Sequence, residues 1–182
     1  FVVDKNDLVA EEGTYHSAII IRSGATGALT VEDNQIFGEV VNQATSNTLD
    51  ASPNWWGSVA GPASGQILGS GPVTSVPWCG DAECSFLVYR ANPANLQGSI
   101  TDATAGDTLY VPSSPTSTSG GFIIDKSLTI VLGDGVVIQN NLPCFEVTAD
   151  NVTITSETLG GSKCVPTGGS DGIVVGSETD PN

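Results

Sequence analysis

Few side chains in this sequence form a pattern that could support acid-base catalysis. Cleaving a glycosidic bond requires two carboxylates, or a carboxylate and a base, that converge on one groove. The basic residues do not recur beside a carboxylate cluster: Lys5, Arg22, Arg90, Lys126 and Lys163. Several aspartates lie at predicted turns, where Asp commonly bonds its own backbone: Asp102, Asp107, Asp134, Asp150 and Asp171. His16 has only Ser17 beside it, which is no catalytic triad. The sequence therefore predicts no catalytic residue and a protein that is not an enzyme.

Metal-binding patterns are equally weak. The cysteines lack the short spacing of a zinc knuckle, and the single histidine is far from them. Asp4 with Asp7, and Asp150 with Asn151, offer oxygen ligands for calcium but match no known calcium loop. We therefore predict no metal ligand, no cofactor-binding residue and no cofactor.

The four cysteines instead favour two disulfides formed in an oxidising compartment. Four cysteines allow three pairings, and proximity along the chain favours Cys79 with Cys84 and Cys144 with Cys164. This interpretation predicts an extracellular or cell-surface protein. The sequence has no Met, and no charged-then-apolar leader precedes Phe1, which indicates a processed product or an excised piece.

Charge and hydropathy exclude several classes of partner. A formal net charge of −15 and a pI near 4.1 oppose binding to nucleic acid or to an anionic membrane surface. The longest apolar runs, such as residues 18–21, are far shorter than the ~20 residues of a membrane span. We therefore expect neither a nucleic-acid partner nor a membrane span.

Short apolar segments recur along the sequence in a way that is typical of a solenoid. Residues 127–130, 151–154 and 171–174 begin 24 and then 20 residues apart. Residues 136–138 and 145–147 lie between the first two, and turn residues separate all of these segments. An antiparallel sandwich is the rival fold, although its strands are usually longer. The pattern favours an all-β, right-handed parallel β-helix, in which each strand pairs with a strand one coil away.

Two longer motifs carry a resemblance to a known superfamily. Residues 47–57 (NTLDASPNWWG), followed by Gly61-Pro62 and by Trp78, resemble the closing coil of secreted parallel β-helix proteins of the pectate-lyase-like superfamily. Residues 95–112 (NLQGSITDATAGDTLYVP), followed by residues 121–130, are similar to the opening of such a helix, with a short capping helix. The superfamily includes lyases, hydrolases, adhesins and surface-layer proteins, so the resemblance implies a fold and leaves the function open.

The closing motif implies a structural set of residues that covers one end of the solenoid: Asn54, Trp55, Trp56, Gly57 and Trp78. Large rings can cover apolar ladders and open strand edges. Adjacent residues of an extended segment point to opposite faces, so we expect only one ring of the Trp55–Trp56 pair to face the core.

The order of the two motifs is reversed relative to a complete β-helix. We therefore expect the tail of one helix over residues 1–68, a connector with a disulfide turn over 69–94, and the head of another helix over 95–182. Both chain ends then fall inside coils, whose strand edges favour association. The predicted subunit interface comprises Phe1, Val2, Val3, Ile173, Val174 and Val175.

The leading functional hypothesis is a structural extracellular protein that self-assembles head-to-tail into a filament, sheath or surface layer. Its partners are then other copies of itself. The alternatives are a piece of a longer tandem array, and a carbohydrate-active or glycan-binding β-helix fragment with surface glycans as partners. Carboxylates or aromatic rings aligned along a groove over several coils favour the glycan hypothesis.

Overall fold

The computed structural model describes residues 2–4, 6–8, 17–116, 120–140, 143–166 and 172–176. The chain divides into two compact units, a first unit over Phe1–Val88 and a second unit over Tyr89–Asn182. Both are built from short strands, and the described residues contain a single α-helix.

The first unit contains short strands that pair mostly between successive coils. In chain order they are β1 (Val2–Asp4), β2 (Asp7–Leu8), β3 (Ser17–Ile21), β4 (Leu29–Glu32), β5 (Gln35–Ile36), β6 (Glu39–Asn42), β7 (Leu49–Asp50), β8 (Ile67–Gly69), β9 (Val73–Thr74), β10 (Trp78–Cys79) and β11 (Leu87–Arg90), the last of which crosses the boundary between the units. Among described residues, β1-β4-β7-β9, β2-β5 and β3-β6-β8 form three parallel sheets.

Alternation of polarity explains the core of the first unit. In β4 the residues alternate between buried Leu29 and Val31 and half-buried Thr30 and Glu32, as expected for a strand with one face on the core. The inward side chains of successive strands stack, and four of them are completely buried: Val31, Ile36, Val40 and Leu49. Because each coil covers the next, no coil buries its own apolar face alone.

The first unit ends in an antiparallel hairpin of β10 and β11. The amide of Gly80 donates to the carbonyl of Phe86 (2.9 Å) across this hairpin. A disulfide joins Cys79 to Cys84 in the turn, with their Cα atoms 4.6 Å apart. The predicted disulfide turn is therefore confirmed.

The second unit continues with one short helix and a second set of coils. Its elements are a 3-10 turn (Pro93–Asn95), α1 (Leu96–Asp102), β12 (Thr108–Val111), β13 (Phe122–Ile124), β14 (Thr129–Leu132), β15 (Val137–Asn140), β16 (Phe145–Val147), β17 (Thr153–Ser156), β18 (Lys163–Pro166) and β19 (Ile173–Val175). Within the described residues, β12-β14-β17, β13-β16-β19 and β15-β18 pair in parallel.

Helix α1 covers the first coil of the second unit, as the resemblance implies for a capping helix. Leu96 and Ile100 are buried and pack into the same apolar cluster as the inward strand residues. Asn95 begins the helix, and its side-chain oxygen accepts from the amide of Gly98 (3.1 Å). A side chain at Gly98 would approach the Asn95 amide nitrogen to 2.2 Å, so the glycine that weakens the helix also permits its cap.

The end of α1 is held by a lysine from a neighbouring loop. The ammonium of Lys126 donates to the carbonyl oxygens of Thr101 (2.7 Å) and Ala103 (3.1 Å). Cations stabilise the carbonyl end of a helix, where backbone acceptors lack intrahelical partners. The observed contacts therefore assign Lys126 to this cap.

The structure confirms the all-β parallel β-helix, with one correction to the repeat assignment. Thr129 pairs with Thr153, which is the predicted 24-residue step between coils. The prediction that residues 171–174 repeat residues 151–154 one coil later is wrong, because Ile173 pairs with Phe145 in a different sheet. Within the sequence-defined connector 69–94, β9 extends a sheet of the first unit through Val73 opposite Leu49.

Candidate functional site

The apolar ladder of the second unit becomes progressively exposed toward its last described coil. Phe122, Phe145 and Ile173 occupy equivalent positions in β13, β16 and β19. The first two are 2% and 1% exposed, whereas Ile173 is 47% exposed. The side chain at this position is therefore buried in the inner coils and exposed to solvent in the last described coil.

A second ladder in the same sheet shows the same change. Ile124 and Val147 are 0% and 6% exposed, but Val175, which follows them in register, is 79% exposed. Ile154 of β17 is half-buried, although its partner Ile130 is fully buried. Apolar side chains at the end of these ladders line an open depression of about 420 Å³, among them Val147, Ile154, Ile173 and Val175.

The strands around this depression are hydrogen-bonded to the preceding coil along one edge. Within the described residues, β17, β18 and β19 each occupy the end of their sheet. The amide of Gly176 donates to Val147 O (2.9 Å), and that of Cys144 donates to Gly172 O (2.8 Å). Edge strands of this kind present backbone groups to a further strand.

A disulfide links the last coil to the coil beneath it. Cys144 is fully buried and Cys164 is exposed, with their Cα atoms 5.9 Å apart. The predicted pairing of these two cysteines is confirmed. The bridge fixes β18 to the chain before β16, so the last coil is tethered even though its apolar face is open.

Strands β1, β2 and β3 of the first unit also lie at the ends of their sheets, again within the described residues. The backbones of Val2 and Val3 pair with Thr30 and Val31 of the next coil. Phe1 lies outside the described residues. Both predicted groups of interface residues, so far as they are described, therefore belong to strands at the ends of sheets.

The predicted lid residues of the first unit are brought together around two buried rings. Trp56 is 4% exposed and Trp78 is 1% exposed, and the indole nitrogen of Trp78 donates to Val59 O (2.9 Å). Trp55 is half-buried, so one ring of the adjacent pair faces the core, as predicted. Gly57 has a positive φ of 82° and lies beneath the ring of Phe37.

Asn54 belongs to a buried hydrogen-bonded ladder that sequence reasoning missed. Its amide group donates to Val31 O (2.7 Å), and its side-chain oxygen accepts from the backbone (3.0 Å) and the side chain (3.1 Å) of Asn34. Asn34 in turn accepts from the backbone amide of Asn6 (2.9 Å). The signal in the sequence that could have revealed this ladder is the recurrence of Asn shortly after a strand, at steps of 28 and 20 residues from Asn6 to Asn34 and Asn54.

Hydrogen bonds of titratable side chains connect different coils within the described part of the second unit. Tyr110 donates its hydroxyl to Glu157 (3.1 Å). Burial, followed by the negative charge of Glu157 and this hydrogen bond, raises the pKa of Tyr110 to about 12. Asp134 accepts a hydrogen bond from the hydroxyl of Thr158. Within the described part of the chain, no group of three His, Cys, Asp or Glu side chains is placed to hold a metal ion.

Several residues considered for chemistry cannot be placed. Lys5, His16 and Asp171 lie outside the described residues. Among the others, Asp107 accepts from the backbone amide of Thr104 (2.7 Å), which is the local turn contact expected from the sequence.

No family model, no curated protein and no solved structure matches this chain. Of the helices described, none has the length and apolar character needed to cross a membrane.

Proposed function

We propose that this chain is a structural extracellular protein whose copies stack end to end. In this arrangement the coil of β17, β18 and β19 in one copy pairs with the coil of β1, β2 and β3 in the next. The observation that carries the proposal is the exposure of Ile173 (47%) and Val175 (79%), at positions that are buried in the preceding coil.

The strand order at the two surfaces supports this pairing. Each of the two coils has three described strands, and each strand ends a different sheet. If the first coil of another copy follows β19, its strands β1, β2 and β3 come in the same chain order as the three exposed edges of β17, β18 and β19. Continuing a parallel β-helix therefore requires no change in the kind of strand pairing already present.

The energetics indicate that side-chain burial alone is a modest driving force. Covering Ile173 and Val175 removes roughly 200 Å² of apolar surface from water, or about 5 kcal/mol at 25 cal/mol per Å². Association itself costs about 4–15 kcal/mol. Strand pairing along the three edges must therefore contribute to a stable assembly.

The extracellular part of the proposal is supported by the Cys79–Cys84 and Cys144–Cys164 disulfides, which persist in oxidising compartments. It also agrees with the resemblance of the Trp-Trp-Gly and opening motifs to a superfamily of secreted proteins. That superfamily includes surface-layer proteins.

The test is a charge placed in the open ladder. We expect the unmodified chain to form linear assemblies in negative-stain images and to sediment faster as its concentration rises. Val175→Lys should weaken this association at least tenfold, because it buries an unpaired ammonium in the contact. Ile123→Lys is the matched control, since Ile123 is 46% exposed in the same sheet but lies in the first strand rather than the last.

Ionic strength gives a second readout of the same contact. The net charge of −15 makes copies repel one another, so association should strengthen as NaCl rises from about 20 to 200 mM. Discrete monomers at high protein concentration and high salt would refute the proposed function.

A further inference from the structure

An apolar stripe crosses the outer face of one sheet in the first unit. Ile20 of β3 is in register with Val41 of β6, which is in register with Leu68 of β8. Ile20 and Leu68 are 38% and 39% exposed, and Val41 is half-buried. Their chain neighbours Ile21 and Val40 are buried, so the stripe faces away from the core.

Charged side chains lie on opposite sides of this stripe. Glu39 begins β6 and is half-buried, and its carboxylate accepts from the Ser17 hydroxyl (3.3 Å). Arg22 directly follows the end of β3 and is exposed. A shallow depression of about 530 Å³ lies here, and it is lined by Ser17, Ile20, Arg22, Val41 and Gln43.

We infer that this face binds the same face of a second copy, side by side, about a two-fold axis parallel to the direction in which the coils stack. Such a rotation keeps each strand at the same level and reverses its direction. Glu39 of one copy then meets the strand-end side of the other, where Arg22 lies one strand spacing away, at about 4.8 Å. The apolar stripes meet each other in the centre, as a self-complementary contact requires.

The charges select this axis over the alternative. A two-fold axis along the strands would place Glu39 opposite the strand-start side of the partner, which contains Glu39 itself, and like charges disfavour that contact. With the axis along the stack, the two solenoids run in the same direction. Copies stacked end to end can then repeat the side-by-side contact at every subunit.

The size of the stripe makes the contact weak for a single pair of copies. Its apolar area is roughly 200 Å² per copy, against about 800 Å² per partner in a standard interface. Repetition along a stack converts weak contacts into strong overall association. The inference therefore rests on the proposed function for its effect, although the contact itself does not require a filament.

The first experiment scores bundling of assemblies in negative-stain images. Leu68→Glu should reduce the fraction of bundled assemblies at least tenfold and leave single assemblies intact, whereas Ile123→Glu, the exposed control in the second unit, should not. Arg22→Glu should also abolish bundling, and the double variant Arg22→Glu/Glu39→Arg should restore it. Failure of the charge exchange to restore bundling would overturn the two-fold arrangement.

The second experiment works without filaments and so separates this inference from the proposed function. The described cysteines are all in disulfides, so Val41→Cys introduces a new thiol at the centre of the stripe. Under mild oxidation at high concentration, Val41→Cys should form covalent dimers at least tenfold faster than Ile123→Cys. Equal rates for the two variants would overturn the inference even if end-to-end stacking is observed, and a faster Val41→Cys rate would support it even if stacking is not.

Discussion

Replacing Asn54 with alanine should strongly destabilise the first unit. Asn54 is completely buried and makes three hydrogen bonds at the point where the pairing of β4 with β7 has ended. There the Asn54 side chain takes the place of a neighbouring strand, because it forms hydrogen bonds with the carbonyl oxygen of Val31 and with the backbone amide of Asn34. Alanine removes this side-chain partner and leaves both backbone groups in place.

The expected magnitude follows from the groups left without this partner. A buried polar group that loses its hydrogen bond costs about 1–3 kcal/mol, so two such groups cost about 3 kcal/mol when taken near the lower end of the range. With an m-value of about 1.5 kcal/mol per molar urea, the unfolding midpoint should fall by about 2 M.

The assay is urea unfolding followed by tryptophan fluorescence. All three tryptophans of the chain, Trp55, Trp56 and Trp78, lie in the first unit, so the signal reports on that unit specifically. Gln43→Ala is the control, because Gln43 is an exposed amide side chain in the same unit. A midpoint shift for Asn54→Ala below about 0.5 M, or no larger than that of the control, would refute the reasoning on buried amides.

Two further outcomes concern the second unit. Ultraviolet titration should show one tyrosine ionising near pH 12, and Glu157→Gln should lower the pKa of Tyr110 toward 10, because it removes the carboxylate charge. Since folding raises the pKa of Tyr110, the contribution of Tyr110 to the free energy of unfolding is complete below pH 10 and is lost as the pH rises to about 12. Replacing both cysteines of the Cys144–Cys164 bridge with serine should destabilise the second unit by about 3 kcal/mol in thermal unfolding, because a disulfide that closes a longer loop stabilises more. The same replacement in the shorter Cys79–Cys84 loop should destabilise the first unit by about 2 kcal/mol. Equal losses would contradict this dependence on loop length.

Much of the fold was accessible from the sequence because the strands recur with turn residues between them. The 24-residue step that aligns Thr129 with Thr153 is visible directly in the chain. The segment at 171–174 was assigned to the wrong sheet because its spacing resembles a coil length. Loops of unequal length change the distance between equivalent strands, so spacing alone cannot specify which sheet a strand joins.

The buried asparagines were hidden because Asn is also an ordinary turn residue. Asn34 lies between strands, where the sequence suggests an exposed turn, yet it is 2% exposed. The closing motif assigned Asn54 to the structural set but gave no sign of its hydrogen bonds to Asn34. The outward stripe was hidden for a related reason. Residues 18–21 are uniformly apolar, so no alternation shows that Ile20 faces outward and Ile21 inward.

The difference between the two strand edges gives the proposed assembly a direction. One tip of a growing row displays the β17–β19 edge with its open apolar interior, and the other displays the β1–β3 edge. These tips differ in chemistry and need not elongate at the same rate. A molecule that blocks one tip would therefore stop growth at that tip and leave the opposite tip active.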